Sequence, residues 1–137
     1  MSSFRIFDIA GSGMSAQSVR LNTVASNLAN AESVSGEPGK VYRARHPVFQ
    51  AIDSGNPDDV GASVKVRDVV ESQVAPEKRF DPGNPLADGE GYVYAPNVNT
   101  VEEMVDMITA SRSYQNNVEV LNTARTQMLA TLKLGQG

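Results

Sequence analysis

Mainly apolar positions recur at alternating steps of three and four at both ends of the chain. From the N-terminus the series is Phe7, Ala10, Met14, Gln17, Leu21, Val24, Leu28 and Ala31. Near the C-terminus it is Met104, Met107, Ser111, Tyr114, Val118, Leu121, Arg125, Met128 and Leu132. This spacing holds one stripe toward a partner helix and predicts two long helices paired as a coiled coil. Between Ile6 and Ala31 only Asp8 and Arg20 are charged, the remainder being mostly Ser, Asn, Thr, Gln, Ala and Gly. A solvated helix face carries charges of both signs, so these small neutral residues predict a helix packed on several sides by protein.

All seven prolines lie between Pro38 and Pro96, dividing the chain into helix, irregular middle and helix. The expected organisation is an N-terminal helix in 1–32, a β-rich middle domain with loops in 33–97, and a C-terminal helix in 98–137, an α+β fold. The first helix would be roughly 40 Å long and the second roughly 50 Å at the α-helical rise. Gly11 and Gly13 weaken the first as an isolated helix and suit close approach to a neighbouring helix. Thr100 and Glu103 have capping-box spacing at the start of the second, Glu102, Glu103 and Asp106 suit its positive end, and Lys133 and Gly135 mark its finish. In the middle, 40–53 and 63–73 read as strands and Tyr92-Val93-Tyr94 as a short third one. The stretches 33–39, 54–61 and 81–91 read as loops and turns.

The chemistry-bearing residues are sparse. His46 is the single histidine, has no second ligand at motif spacing, and precedes Pro47, so a structural or surface role is expected. Asp81, Asp88 and Glu90 form an acidic run, but Pro82 and Pro85 break the order of a calcium loop. Gly11-Ser12-Gly13 lacks the third glycine and preceding strand of a dinucleotide fingerprint. Asp58-Asp59 and Glu102-Glu103 are sequence neighbours whose side chains diverge, unsuited to paired acid–base work. Met104, Met107 and Met128 fall on the helical stripe as packing residues. Arg125 on that stripe has two readings: a snorkelling stem at the seam edge, or a register-setting contact to a carboxylate or helix end on a neighbour. No catalytic residue, cofactor or metal is expected.

A net charge of −4, with eight Arg and four Lys dispersed, offers no footprint for nucleic acid or an anionic membrane. Cysteine is absent, which excludes disulfides and thiolate metal sites. No apolar run is long enough for direct membrane insertion, and the start lacks the pattern of a cleaved secretory signal. The expected location is cytoplasmic, or exported by a route without that signal.

The stretch Met14-Ser-Ala-Gln17 through Arg20-Leu-Asn-Thr-Val-Ala-Ser26-Asn27-Leu28-Ala29-Asn30 resembles the N-terminal motif of flagellar rod, hook and hook-associated axial proteins. Gly91-Tyr-Val-Tyr-Ala-Pro-Asn97-Val-Asn99-Thr-Val-Glu-Glu103-Met is similar to the segment entering that family's C-terminal helix. Ala110-Ser-Arg-Ser-Tyr114-Gln115-Asn116-Asn117-Val-Glu-Val-Leu-Asn122 and Asp81-Pro-Gly-Asn-Pro-Leu-Ala-Asp88 resemble its short proximal rod members, as does the brevity of the middle segment. The loop 32–39 departs from the usual pattern in length and composition.

The resemblance implies a structural subunit of the basal body, in the proximal rod that crosses the periplasm. Its terminal helices would form the inner layer of a hollow drive shaft, with the helix seams as assembly contacts. The implied partners are other proximal and distal rod proteins, the rod–ring adaptor at the base, further copies of the chain, and the flagellar type III export apparatus. Export without a cleaved signal and termini that order on docking would follow. Two rival classes stand beside it: a cell-wall hydrolase, which needs a cleft with positioned carboxylates, and a secreted coiled-coil module, which needs charged flanking positions.

Overall fold

A computed structural model describes residues 3–53, 55 and 61–137. Helix α1 spans Ser3–Asn30 and helix α2 spans Thr100–Gly135. Between them lie a 3-10 turn at Pro38–Lys40 and four strands: β1 (Arg45–Ile52), β2 (Ser63–Glu71), β3 (Glu77–Phe80) and β4 (Tyr92–Ala95). The architecture is α+β, as the sequence predicts. The expected loop 54–61 and the Asp58-Asp59 pair lie largely or wholly outside the described residues.

The helices run antiparallel. Ile6 shares a groove with Ala124 and Gln127, Gly13 lies against Asn117, and Arg20 reaches Asp106 at 2.6 Å. The fully buried residues of their contact are small: Ala10 and Val24 on α1, Ala31 just past its end, and Ala110 and Ala124 on α2. Alanines at a seam let two backbones approach closely, but they bury little area and so contribute little hydrophobic stabilisation. At Gly13 the approach leaves no room for a side chain, since a Cβ there would sit 2.9 Å from Asn117 Nδ2. Gly11 is different: nothing lies within 4 Å of its would-be Cβ, so only Gly13 serves close approach.

The second helix starts with a different cap from the one its spacing suggests. Asn99 is the N-cap, its side-chain oxygen accepting from the amides of Val101 and Glu102. Thr100 is already helical, and Glu103 is buried instead of reaching back. Asn is at least as good an N-cap as Thr, and placing the cap one residue earlier frees Glu103 to turn inward.

The middle segment forms two separate two-stranded ribbons in place of one small sheet. β1 and β2 pair antiparallel from Arg45↔Glu71 to Ile52↔Ser63, with a bulge where Val48 opposes Asp68 and Phe49 opposes Val66. This ribbon lies on α1. β3 pairs β4 from Glu77↔Ala95 to Phe80↔Tyr92, and the two rings at its end meet edge to face at 5.1 Å. β3 escapes the hydrophobic pattern because Glu77, Lys78 and Arg79 precede its one aromatic, and all four residues are exposed. On the other edge of β4, Tyr94 exchanges backbone hydrogen bonds with Ser35 at 2.8 and 2.9 Å, which ties the 32–39 loop to the ribbon. The turn-rich 81–91 segment closes the ribbon, with Gly91 at φ +84°.

Candidate assembly surface

The heptad spacing of α2 is present, but half of its register is displaced by one residue. Met107, Tyr114, Leu121 and Met128 are half-buried beside α1, where the pattern places them. The alternate line is Glu103, Ala110, Asn117 and Ala124, in place of Met104, Ser111, Val118 and Arg125. Met104 and Leu132 are 56% and 58% exposed, and Arg125 is exposed as well. Hydrophobicity favours Met104 over Glu103 and Val118 over Asn117; the close seam favours the alanine positions, and those carry their heptad mates inward. Val118 and Ser111 remain half-buried at the margin. On α1, Phe7, Met14, Leu21 and Leu28 are half-buried and Val24 is buried.

The Ser26–Asn30 motif has a specific mechanical role within the chain. Asn27 is fully buried: its Nδ2 donates to the Arg45 carbonyl, and its Oδ1 accepts from the Arg45 amide and the Tyr42 hydroxyl. The Tyr42 hydroxyl oxygen also lies 3.2 Å from Ser26 Oγ, and Asn30 Nδ2 donates back to the Ser26 carbonyl. Ala29 faces outward. Ser12 adds a second clamp, donating to Ile9 O and accepting from the Val64 amide at 3.0 Å. Two faces of α1 are therefore occupied by α2 and by the β1–β2 ribbon. Part of its uncharged surface is explained within one chain. What stays outward includes Ser15, Ser18, Asn22, Ala25 and Ala29, a narrow stripe of small residues. In the C-terminal motif Gln115 and Asn116 are exposed and Asn117 is half-buried.

The first two turns of α2 expose an apolar strip. Val101, Met104, Val105 and Ile108 are 67%, 56%, 58% and 55% exposed, at relative positions 0, 3, 4 and 7. That periodicity makes one continuous strip, turned away from α1. At the other end Leu129, Leu132 and Leu134 are also exposed. Such contiguous apolar surface marks a contact with another macromolecule.

Among the described residues there is one cross-helix ion pair, and two buried side-chain oxygens, Gln17 Oε1 and Glu103 Oε2, have no hydrogen-bond partner. Arg20 and Asp106 make the only ion pair between the helices among the described residues, with side chains 25% and 41% exposed. Three residues earlier, Glu103 is 7% exposed and its Oε2 is buried with no hydrogen-bond partner. Leaving an ionised carboxylate buried and unpaired costs several kcal/mol. Glu103 lines an open cleft of about 380 Å³ with His46, Glu102 and Asp106. The imidazole of His46, on β1, makes no hydrogen bond among the described residues. Asp88 holds the ribbon turn: its Oδ1 accepts from the Glu90 and Tyr92 amides at 2.9 Å. The Tyr92 amide foremost, then that of Glu90 and the charge on Lys78, hold this carboxyl below the usual range against partial burial.

Among the described residues no group of three or more His, Asp or Glu side chains could hold a metal ion. No described helix is long and apolar enough to cross a membrane.

Residues 7–36 match the family model for flagella basal body rod protein, and residues 90–134 the one for the C-terminal part of flagellar basal body rod FlgEFG protein. Over 137 residues the chain is 58% identical to the flagellar basal-body rod protein FlgC of Salmonella typhimurium, covering 99% of this chain and 100% of that protein. It is 57% identical over 136 residues to the protein of the same name from an Escherichia coli strain, with the same coverage. The Aquifex aeolicus FlgC is 43% identical over 127 residues, 91% of each chain. The two family matches contain most of α1 and nearly all of α2, the elements that carry the apolar faces described above.

Proposed function

The chain belongs to the flagellar basal-body rod protein FlgC family, and from that premise we propose that it builds the proximal rod through the outward faces of its two helices. It is a structural subunit of the flagellar rod and acts in the basal body with other rod proteins. In the finer reading α1 and α2 line the inner layer of a hollow shaft, and the ribbons tune lateral contacts and stiffness. The neighbours are other proximal and distal rod subunits, the rod–ring adaptor at the base, and copies of this chain. The subunit crosses the envelope through the flagellar type III apparatus, without a cleaved signal, to a rod in the periplasm. It performs no catalysis.

The observation that carries this reading is the strip Val101, Met104, Val105 and Ile108. With Met107, Leu121 and Met128 turned toward α1, the larger apolar side chains left outside at the start of α2 form a face that supports contacts between molecules. The seam residues Phe7, Met14, Leu21, Val24, Leu28, Met107, Tyr114, Val118, Leu121 and Met128 shape the helix pair that presents those contacts. Met104, Arg125 and Leu132 supply contacts directly. Ser26, Asn27, Leu28, Ala29 and Asn30, with Tyr114, Gln115, Asn116 and Asn117, fix the pair and its ribbon in one orientation. A pair with so little buried apolar area orders fully only on docking, which suits passage through a narrow channel.

Deleting the gene in a motile host and imaging basal bodies by cryo-tomography tests the reading. Basal bodies stalled at the inner ring and restored by the wild-type gene are expected. Complete rods and normal swimming in the deletion strain would overturn it.

A further inference from the structure

Among the described residues Glu103 is the one carboxylate that is buried, and nothing in the chain answers its charge. It is 7% exposed, its Oε2 has no hydrogen-bond partner, and it lines an open cleft with His46, Val101, Glu102, Val105 and Asp106. The nearest cation on α1, Arg20, is engaged by Asp106 at 2.6 Å. The His46 imidazole makes no hydrogen bond among the described residues, so it does not serve Glu103 either. No group of three or more His, Asp or Glu side chains there could hold a metal ion, so the cleft suits a cationic side chain.

We propose that this cleft takes an arginine carried on the apolar face of a helix from a neighbouring rod protein of a different kind, so that Glu103 is paired only in the assembled rod. This rests on the rod-subunit reading above. Val101 and Val105 line the cleft and also belong to the exposed strip with Met104 and Ile108. Whatever covers the strip therefore brings its cation into the cleft from within an apolar surface. The strip runs about 10 Å along α2 at the α-helical rise, which fits a partner helix laid beside it. Guanidinium suits a cleft with a second acid at its mouth: Glu102 is exposed there, and the planar fork can serve two carboxylates at once.

The same face of a second copy is the wrong occupant. From Thr100 to Ser111 it offers Glu102, Glu103 and Asp106 and no Lys or Arg, so pairing it with itself sets like charges together. The outward stripe of α1, with Ser15, Ser18, Asn22, Ala25 and Ala29, is uncharged as well. A different chain is thus the source of the counter-charge. Holding the carboxylate unpaired until docking makes the face selective, because a partner without the arginine leaves it buried and unanswered.

Glu103→Gln in the full-length chain keeps the side chain's shape and removes its charge. In the isolated protein it is expected to raise the melting midpoint by several degrees, because a neutral amide costs less to bury than an unpaired carboxylate. In the motile host it is expected to lower complete rods per cell about tenfold or more, because it strands the partner's guanidinium at the interface. Greater stability with poorer assembly separates a docking residue from a structural one. A lowered midpoint would give Glu103 a partner inside the chain, and normal rods would mean that solvent serves the carboxylate. Either result overturns the proposal and leaves the rod reading to the deletion experiment. Motile revertants of the Glu103→Gln strain then identify the occupant. They are expected to replace an arginine of another rod protein by a neutral residue; revertants confined to this chain's own gene would overturn the assignment.

Discussion

Asn27 and Arg45 make a reciprocal pair: the Asn27 side-chain amide donates to the Arg45 carbonyl and accepts from the Arg45 amide, both at 2.9 Å. One helix side chain thus stands in for a strand neighbour at the first residue of β1. Asn27→Ala leaves both Arg45 backbone groups without partners and the Tyr42 hydroxyl only its longer contact to Ser26 Oγ, and should destabilise the ribbon's attachment by about 2–4 kcal/mol. Hydrogen exchange at the Arg45 amide, measured in both proteins, checks this. Unchanged protection would show that the ribbon is held by other contacts.

The two N-terminal glycines should respond in opposite senses. Gly11→Ala meets open space and should stabilise α1 by up to about 1 kcal/mol through helix propensity. Gly13→Val pushes against Asn117, whose Nδ2 is bonded to the Ser113 carbonyl, and should destabilise the pair by about 1–3 kcal/mol. Thermal melts of the two variants decide; equal shifts would place the helices farther apart than described.

Arg20 and Asp106 cross the helix pair at 2.6 Å in a half-buried setting. A double-mutant cycle with Arg20→Ala and Asp106→Ala should give a coupling of about 0.5–1 kcal/mol, shrinking with added salt. A coupling near zero would mean that alanine packing alone sets the helix register.

Asp88 makes the β3–β4 turn acid-sensitive. Its folded pKa is lowered chiefly by the Tyr92 amide, so its contribution is fully present above the unfolded-state value. The contribution fades as pH falls through the lower folded value. The Tyr92 amide resonance should therefore titrate below the usual aspartate midpoint and be flat over that range in Asp88→Ala. A midpoint at the ordinary value would remove the carboxylate from the turn's support.

Ile108 separates folding from assembly. At 55% exposure, Ile108→Asp should change the isolated chain's stability by less than about 1 kcal/mol and still abolish rod incorporation, because the charge would be buried only at the docked face. Leu121→Asp, at a half-buried seam position, should impair both folding and incorporation. Swimming by a strain carrying Ile108→Asp would show that this strip is not an interface.

The helices were legible because breakers and heptads are local signals: seven prolines confined to the middle leave two uninterrupted segments. The strand regions read as 40–53 and 63–73, the second through its alternating valines, contain the observed 45–52 and 63–71, whereas Glu77–Phe80 did not show, being exposed along its whole length. The displaced line on α2 was illegible for a related reason. Met107, Tyr114, Leu121 and Met128 can be completed on either side, and residue hydrophobicity chose the side with Met104 and Val118. Asn27 was marked by resemblance, but its partner Arg45 lies eighteen residues on, beyond any spacing rule.

By itself the sequence determined the two helices, the irregular middle, the absence of thiol chemistry and the surplus of small uncharged residues, all properties of chain order and composition. Tertiary structure decided which heptad line faces inward, which glycine is close-packed, and which residue caps α2. It also decided that Glu103 is buried while Val101, Met104, Val105 and Ile108 face outward. The physical reason is that close packing selects for volume and hydrogen-bond geometry at each contact. A hydrophobic pattern reports only average burial, and here the close seam takes alanine on one of its two lines and leaves Val101, Met104, Val105 and Ile108 outside.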